Sequence, residues 1–345
     1  MKTSQLSVKE RTERIRKVIR YGEKQLLKRY PILAYQDQIG AAIFFFSIGG
    51  MILTSYFYID GSLGAIPTII LNMLFTSFLH ELEHDIIHSQ YYSKHPFEDV
   101  MKWGVNIFRG NQPHTQCRRK MHIFHHKVSG QDNDTEELWV GNGMKWSWRR
   151  LIVCLDIPLG TFLYFEHLRK KKPELNDVVD VSIKSWFVVF IFTSLLYLSL
   201  IYYAIMGVNH LLDLGLTVPV LLQPTIKILE ILSVIWLFPS AIRLAMLTFI
   251  TSNMHYHGDV PKGDIGMIYQ TQVLDAWYFL PFNFFNFNFG STHGIHHFVV
   301  NQPFYIRQMV APLAHAAFKK YGVRFNDIGT FKRANRYSVE YVPQS

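Results

Sequence analysis

Ala41–Ile59 reads AAIFFFSIGGMILTSYFYI, 19 residues without a charge. The turn Asp60-Gly61-Ser62 follows, and Leu63–Leu79 then runs apolar into His80. A helix needs about 20 apolar residues to cross a bilayer. The two runs therefore predict a transmembrane hairpin with spans at 41–59 and 63–80.

A second hairpin lies further along the chain. Ser185–Leu212 is the longest uncharged run, at 28 residues, and predicts a span at 185–208. Ile231–Ile250 is apolar except for Arg243, which predicts a fourth span at about 228–251. Arg243 would sit near the inner end, where a long side chain snorkels to the interface. Pro219 and Pro224 mark 213–227 as a loop. Leu151–Phe165 is apolar but short and contains Asp156 and Pro158, so it reads as an interfacial or buried helix.

Composition agrees with a membrane protein. Apolar residues make up 49% of the 345 and charged residues 18%, too apolar for a disordered chain. Cys117 and Cys154 cannot build a disulfide framework or a four-cysteine zinc site. The net charge of +9, set beside the apolar runs, points to a membrane surface and not to nucleic acid. No cleavable signal peptide is expected, because the first long apolar run begins near residue 41. Residues 1–37 and 80–184 together hold 25 Lys or Arg, whereas 60–62 and 213–227 hold only Lys227. The positive-inside rule then puts both termini and the long loop in the cytoplasm. The expected fold is an all-α integral membrane protein of four transmembrane helices in two hairpins, with a cytoplasmic helical cap. Residues 1–37 would be a basic arm, 38–310 the membrane domain and 311–345 a tail.

The histidines carry the chemistry. Three of the clusters are His80-Glu81-Leu82-Glu83-His84, His122-Ile123-Phe124-His125-His126 and His293-Gly294-Ile295-His296-His297. On a helix, residues three and four apart share a face, so each cluster turns at least two imidazoles the same way. Neutral imidazole suits iron, zinc and copper. Eight histidines are too many for one tetrahedral zinc and fit two metals of higher coordination number. Four spans also bring all three clusters to one side of the membrane. At the end of the fourth span, His257 is the candidate ninth ligand and His255 its rival; Asn253, one turn before His257, would orient a ligand or hold a water. His88 drifts about 80° from the His80 face at 100° per residue and is left outside the set. His95, His114, His167, His210 and His315 read as structural.

The three boxes, their order and their placement after two membrane hairpins resemble the membrane fatty acid desaturase and alkane hydroxylase superfamily, over roughly residues 40–310. Asn253 and His257 match an Asn-x-x-x-His element of that superfamily, and His126–Glu137 resembles the segment that follows the second box in bacterial desaturase-like proteins. Three residues separate His80 from His84 where acyl-CoA desaturases have four, which points away from an acyl-CoA enzyme. The resemblance implies two iron ions held by His80, His84, His122, His125, His126, His293, His296 and His297. It implies O₂-dependent oxidation of a fatty acyl chain (free acid, thioester or phospholipid), with desaturation the expected outcome. Hydroxylation, or decarboxylation to a terminal alkene, is the alternative. The chain carries no haem segment, no ferredoxin cysteine set and no dinucleotide GxGxxG element, so electrons would come from a separate donor such as ferredoxin, rubredoxin or cytochrome b5.

Around the metals, Asp132 and Asp134 are expected to orient imidazoles, while Asp85, Glu136 and Asp275 read as solvated charges. Arg118 and Arg119 are candidates to clamp a substrate headgroup, and Trp139, Trp146 and Trp277 to line a tunnel. Two other classes compete. His80–His84 also fits the HExxH pattern of a zinc protease with Glu81 as general base, which leaves the other boxes idle. A metal transporter would place its ligands at bilayer depth inside the spans, which here are nearly free of charge.

Overall fold

The computed structural model describes residues 6–129, 131, 133–141, 144, 146–160, 163, 182–255 and 266–333. Helix α1, Val8–Arg29, starts on a capping box in which the Ser7 hydroxyl accepts from the Glu10 amide and Glu10 accepts from the Ser7 amide. It ends on Lys28 and Arg29, cations that suit a helix C-terminus. After a 3₁₀ turn at Pro31–Ala34 come α2, Gln36–Ile59, and α3, Ala65–Ile87. Next are α4, Pro96–Arg109; α5, Thr115–Val128; α6, Thr135–Trp139; and α7, Trp148–Leu155. Helix α8, Ile183–Leu212, is followed by a composite rod of α9, Gln223–Leu232, a π turn at Ser233–Leu237 and α10, Phe238–Thr251. Helices α11, Leu280–Phe284, α12, Phe289–Phe298, and α13, Phe304–Tyr321, complete the cap. A two-residue parallel pairing of Gln272–Val273 with Arg324–Phe325 closes its edge.

Four helices are long and apolar enough to cross a bilayer: Gln36–Ile59, Ala65–Ile87, Ile183–Leu212 and Val220–Thr251. Their outer faces carry exposed Phe45, Phe46, Leu53, Phe190, Leu198 and Ile201, apolar surface that suits lipid. Three bounds differ from the sequence reading, each for a local reason. The second span does not stop at 80 but runs to Ile87, carrying the first histidine box on its last two turns. The fourth begins at Val220 instead of 228, because Pro224 falls in a first turn, where no backbone N–H is needed. Arg243 does not snorkel; it is fully buried, with Nη1 donating to Asn286 Oδ1 at 3.1 Å.

The cap is packed onto the spans. Helix α1 is not a loose arm. Ile15 and Ile19 are buried with Ile295, Phe298, Val310 and Ala314 of α12 and α13. The boundary placed at residue 310 falls inside α13. Helix α7 exposes Trp148, Leu151 and Leu155 and buries Val153 and Cys154, so one side of it is open and apolar and the other is core. Two glycines allow close approaches. A Cβ on Gly50 would meet the Phe75 ring at 2.3 Å, and Gly110 ends α4 at φ +71° beneath Phe192 and Trp236.

The π turn has an identifiable cause. Pro239 has no N–H to offer the Ile235 carbonyl four residues before it. Asn72 of α3 supplies a donor instead, from Nδ2 at 2.8 Å, while its Oδ1 accepts from the Thr54 hydroxyl of α2. One amide thus ties three spans together. Asn72→Leu removes the donor and is expected to cost about 1–2 kcal/mol. A denaturant titration in detergent checks this; an unchanged midpoint would show that the carbonyl finds another partner.

Candidate metal centre

The histidines gather at the end of the bundle where α3 and α10 finish. They form two groups of four. His84, His88, His122 and His296 each offer one ring nitrogen within 4.8 Å of the others, and so do His125, His255, His293 and His297. The groups adjoin, with the His84 and His293 rings 5.2 Å apart and His293 and His296 5.6 Å apart. Helix α5 gives His122 to one group and His125 to the other, and α12 gives His296 to the first and His293 and His297 to the second. His126 lies beside both, its Nε2 3.1 Å from that of His122 and 2.9 Å from that of His296; its ring is 4.7 Å from His297. His80 lines the adjoining cavity against Phe289, at 5.3 Å.

Two members differ from the eight box histidines. His88 caps α3 and enters the first group, its Nε2 3.0 Å from His296 Nε2. The signal for it was present, since His80, His84 and His88 form an unbroken i, i+4 ladder. Measured from His84, its drift is only about 40°. His255, read as the rival to His257, stands in the second group. His257, Asp132 and His167 lie outside the described residues.

The residues fit bound cations. Nε2 of His84, across the ring from its Arg307 contact, and both nitrogens of His80 are buried with no hydrogen-bond partner. Each such atom costs about 1–3 kcal/mol unless something satisfies it. The Nε2 pairs stand 2.9–3.2 Å apart. Two imidazoles at right angles on one metal, each bonded at about 2.1 Å, would also be about 3 Å apart. Burial, reinforced by neighbouring rings, pushes His126, His296 and His297 well below the usual imidazole range, and burial likewise depresses His255 and His293. They are neutral at pH 7 and offer lone pairs without first releasing a proton.

Carboxylates orient the rings. Glu136 Oε2 is 2.6 Å from His122 Nδ1, and Asp134 Oδ2 is 2.8 Å from His125 Nδ1. Each contact leaves the far nitrogen, Nε2, to face the groups. Burial disfavours a charged His125, but Asp134 outweighs it and raises that ring to about 9. Burial also works against a charged Glu136, yet His122, His125 and Arg118 pull it well below the carboxylate range. Asp134, expected to orient an imidazole, contacts His125. Glu136, read as solvated, contacts His122 likewise; its two-residue spacing from Asp134 is the sequence trace of that role.

Other candidates go elsewhere. Arg118 binds Glu83 at 2.5 Å and Glu136 at 3.3 Å, and Arg119 donates to the Ser89 hydroxyl at 2.7 Å, so both are held by protein groups. Asn253 donates Nδ2 to Phe249 O and accepts from Trp146 Nε1. Glu81 binds Arg307 at 2.9 Å. Asp85 accepts from Arg307, Tyr91 and the Phe304 amide, and Asp275 holds Asn326. Trp139 lines the cavity with Leu244, Leu247 and Ile157. Trp277 is 82% exposed and Trp146 stacks on Phe331, so neither lines that cavity. His95 and His114 cap helices, His210 is exposed, and His315 holds Ser291 O, the structural roles expected of them.

Single substitutions His88→Ala and His255→Ala are each expected to remove about half of the bound metal from the purified protein, by elemental analysis, with His315→Ala unchanged. Glu136→Gln should weaken metal affinity about 10–100-fold, read by competition with a chelator; undiminished affinity would mean that the carboxylate does not orient His122. Among curated proteins, none matches this chain. Residues 61–329 match the fatty acid desaturase family. That stretch covers most of the chain and holds each box histidine, so this protein belongs to the fatty acid desaturase family, is an oxidoreductase of lipid metabolism, and has histidine clusters suited to the iron that such enzymes generally use.

Proposed function

We propose that the protein is a membrane-bound diiron enzyme that introduces a double bond into a fatty acyl chain, with its metal centre and both termini on the cytoplasmic side. The observation that carries this reading is the pair of adjoining four-histidine groups, of which His84, His122, His125, His255 and His293 line one cavity. A zinc held by four histidines has no coordination site left for chemistry, whereas iron accepts further ligands. Two irons, reduced by two electrons, supply the activation of O₂ and the removal of hydrogen from an unactivated C–H bond. The overall change, –CH₂–CH₂– + O₂ + 2 H⁺ + 2 e⁻ → –CH=CH– + 2 H₂O, balances with a one-electron donor used twice.

The chain's own residues supply the rest. Leu244, Leu247, Ile157, Trp139 and Phe289 give the cavity an apolar wall that suits an aliphatic chain and excludes water. Arg109, Gln112 and Arg118 make its polar end. Glu136 and Asp134 fix the orientation of the His122 and His125 rings through Nδ1. Glu81, the base of the competing protease reading, accepts from Arg307 at Oε2, and that reading leaves the other histidine clusters without a role. The high density of Lys and Arg in residues 1–37 and 80–184 supports the cytoplasmic assignment.

Expression in a bacterium beside His126→Ala tests the reading. Mass spectrometry of total lipids should show new unsaturated acyl chains with the intact sequence alone, and only under O₂. A hydroxyl or a volatile terminal alkene in their place would move the protein to the hydroxylase or decarboxylase branch. No O₂-dependent product from iron-loaded protein supplied with a chemical reductant would sink all three.

A further inference from the structure

We propose that Arg109 receives the carboxylate of a free long-chain fatty acid, so that the substrate is the acid itself and not a thioester or a phospholipid; the proposal rests on the acyl-oxidation reading above. Arg109 is the last residue of α4 and is 1% exposed. Its Nη1 meets Glu83, a carboxylate shared with Arg118. Its Nε and Nη2 are buried and find no hydrogen-bond partner among the described residues. Orphaned donors at such depth are costly unless something accepts from them. A metal satisfies a bare imidazole nitrogen but never a guanidinium N–H, which needs an acceptor. Arg109 lines the same cavity as His84, His122, His125, His255 and His293, so a molecule lodged there can supply that acceptor.

The chain holds this arginine in place. Trp236 Nε1 donates to the Ile107 and Phe108 carbonyls before it, Gly110 turns the backbone at φ +71°, and Asn111 Nδ2 donates to the Ser240 carbonyl at 2.6 Å. The unused edge of the guanidinium selects the occupant. Nε–H and Nη2–H point the same way in one plane and match the two oxygens of a carboxylate. A thioester or ester carbonyl presents one neutral oxygen and leaves a donor unpaired. Charge favours the same choice. Burial, with the guanidiniums of Arg243 and Arg118, pushes Arg109 well below its usual range, and an anion beside it offsets both effects. Leu244, Leu247, Ile157 and Phe289 give the cavity a hydrocarbon wall for the rest of the acid. The headgroup clamp expected at Arg118 thus falls to Arg109.

Equilibrium binding tests this without turnover. The full-length, iron-loaded protein in detergent is held anaerobically, without reductant, at an alkaline pH where the acid is ionised. Tritiated palmitic acid is displaced by palmitic acid, methyl palmitate, hexadecanol or palmitoyl-CoA. The acid is expected to compete about tenfold or more better than the other three, the advantage of a charge-assisted pair of hydrogen bonds. Parity among them, or a preference for the thioester, overturns the proposal with no variant needed. Arg109→Lys keeps a cation for Glu83 but lacks the fork. It should lose most of the preference for acid over methyl ester, while the affinity for the ester, the iron content and the elution volume stay those of the unaltered protein. A loss that falls equally on acid and ester would mark Arg109 as purely structural and overturn the proposal. An Arg109-dependent preference for the acid, with no O₂-dependent oxidation of it under any reductant, would uphold the site and overturn the desaturase reading. Oxidation of thioester or phospholipid chains by a protein that does not prefer the acid would do the reverse.

Discussion

Buried charge pairing fixes where the cap sits. The last turns of α3 carry Glu81, Glu83 and Asp85, all buried. An unpaired carboxylate there would cost several kcal/mol, and the chain answers with three arginines from three other helices. Arg307 of α13 binds Glu81 and Asp85, and Arg109 of α4 and Arg118 of α5 converge on Glu83. Each pair clamps one cap helix to the end of a span. Removing one partner of such a pair typically costs about 3–5 kcal/mol, because the other charge stays buried. His80 and His84 are interleaved with these acids on the same two turns, so the clamps that place the cap also place these histidines.

The two four-histidine groups follow from this arrangement and from helix periodicity. Residues three or four apart on a helix stand about 5–6 Å from one another. His122 and His125 use that spacing to reach separate groups from one helix, and His293, His296 and His297 do so from another. Two helices crossing at one place therefore fix the relation between the groups. Glu136 and Asp134, a single short segment, orient the two α5 ligands together.

The box histidines and four spans were legible because both are local signals: a repeat of three or four residues, and an unbroken apolar run. What was not legible is mostly long-range. The partner of Asp85 is 222 residues away, and nothing in the sequence around Arg118 separates a headgroup clamp from an ion pair with Glu83. Glu136 could not be told from a solvated loop acid without knowing that α5 folds over it. His88 was set aside because the helix face was referred to His80, whereas the structure puts it in one group with His84, and the chain leaves the helix just after it, with Ser89 at φ +58°.

The fourth span shows how a local rule gives way to tertiary context. Pro224 read as part of a loop, yet the rod continues from Val220 to Thr251, through Pro239 as well. Pro224 costs nothing in a first turn. Pro239 does remove a donor, and the helix responds by widening into a π turn while Asn72, 163 residues away in sequence, donates to Ile235. In a bilayer core no water is at hand to fill that vacancy, so the donor has to come from another span. The same widened turn presents Trp236, whose Nε1 donates to the carbonyls of Ile107 and Phe108 at the end of α4. Helix α4 carries Arg109 and leads into α5. A proline of the fourth span is thereby tied, through one indole, to the helix whose arginine anchors Glu83 beside His84.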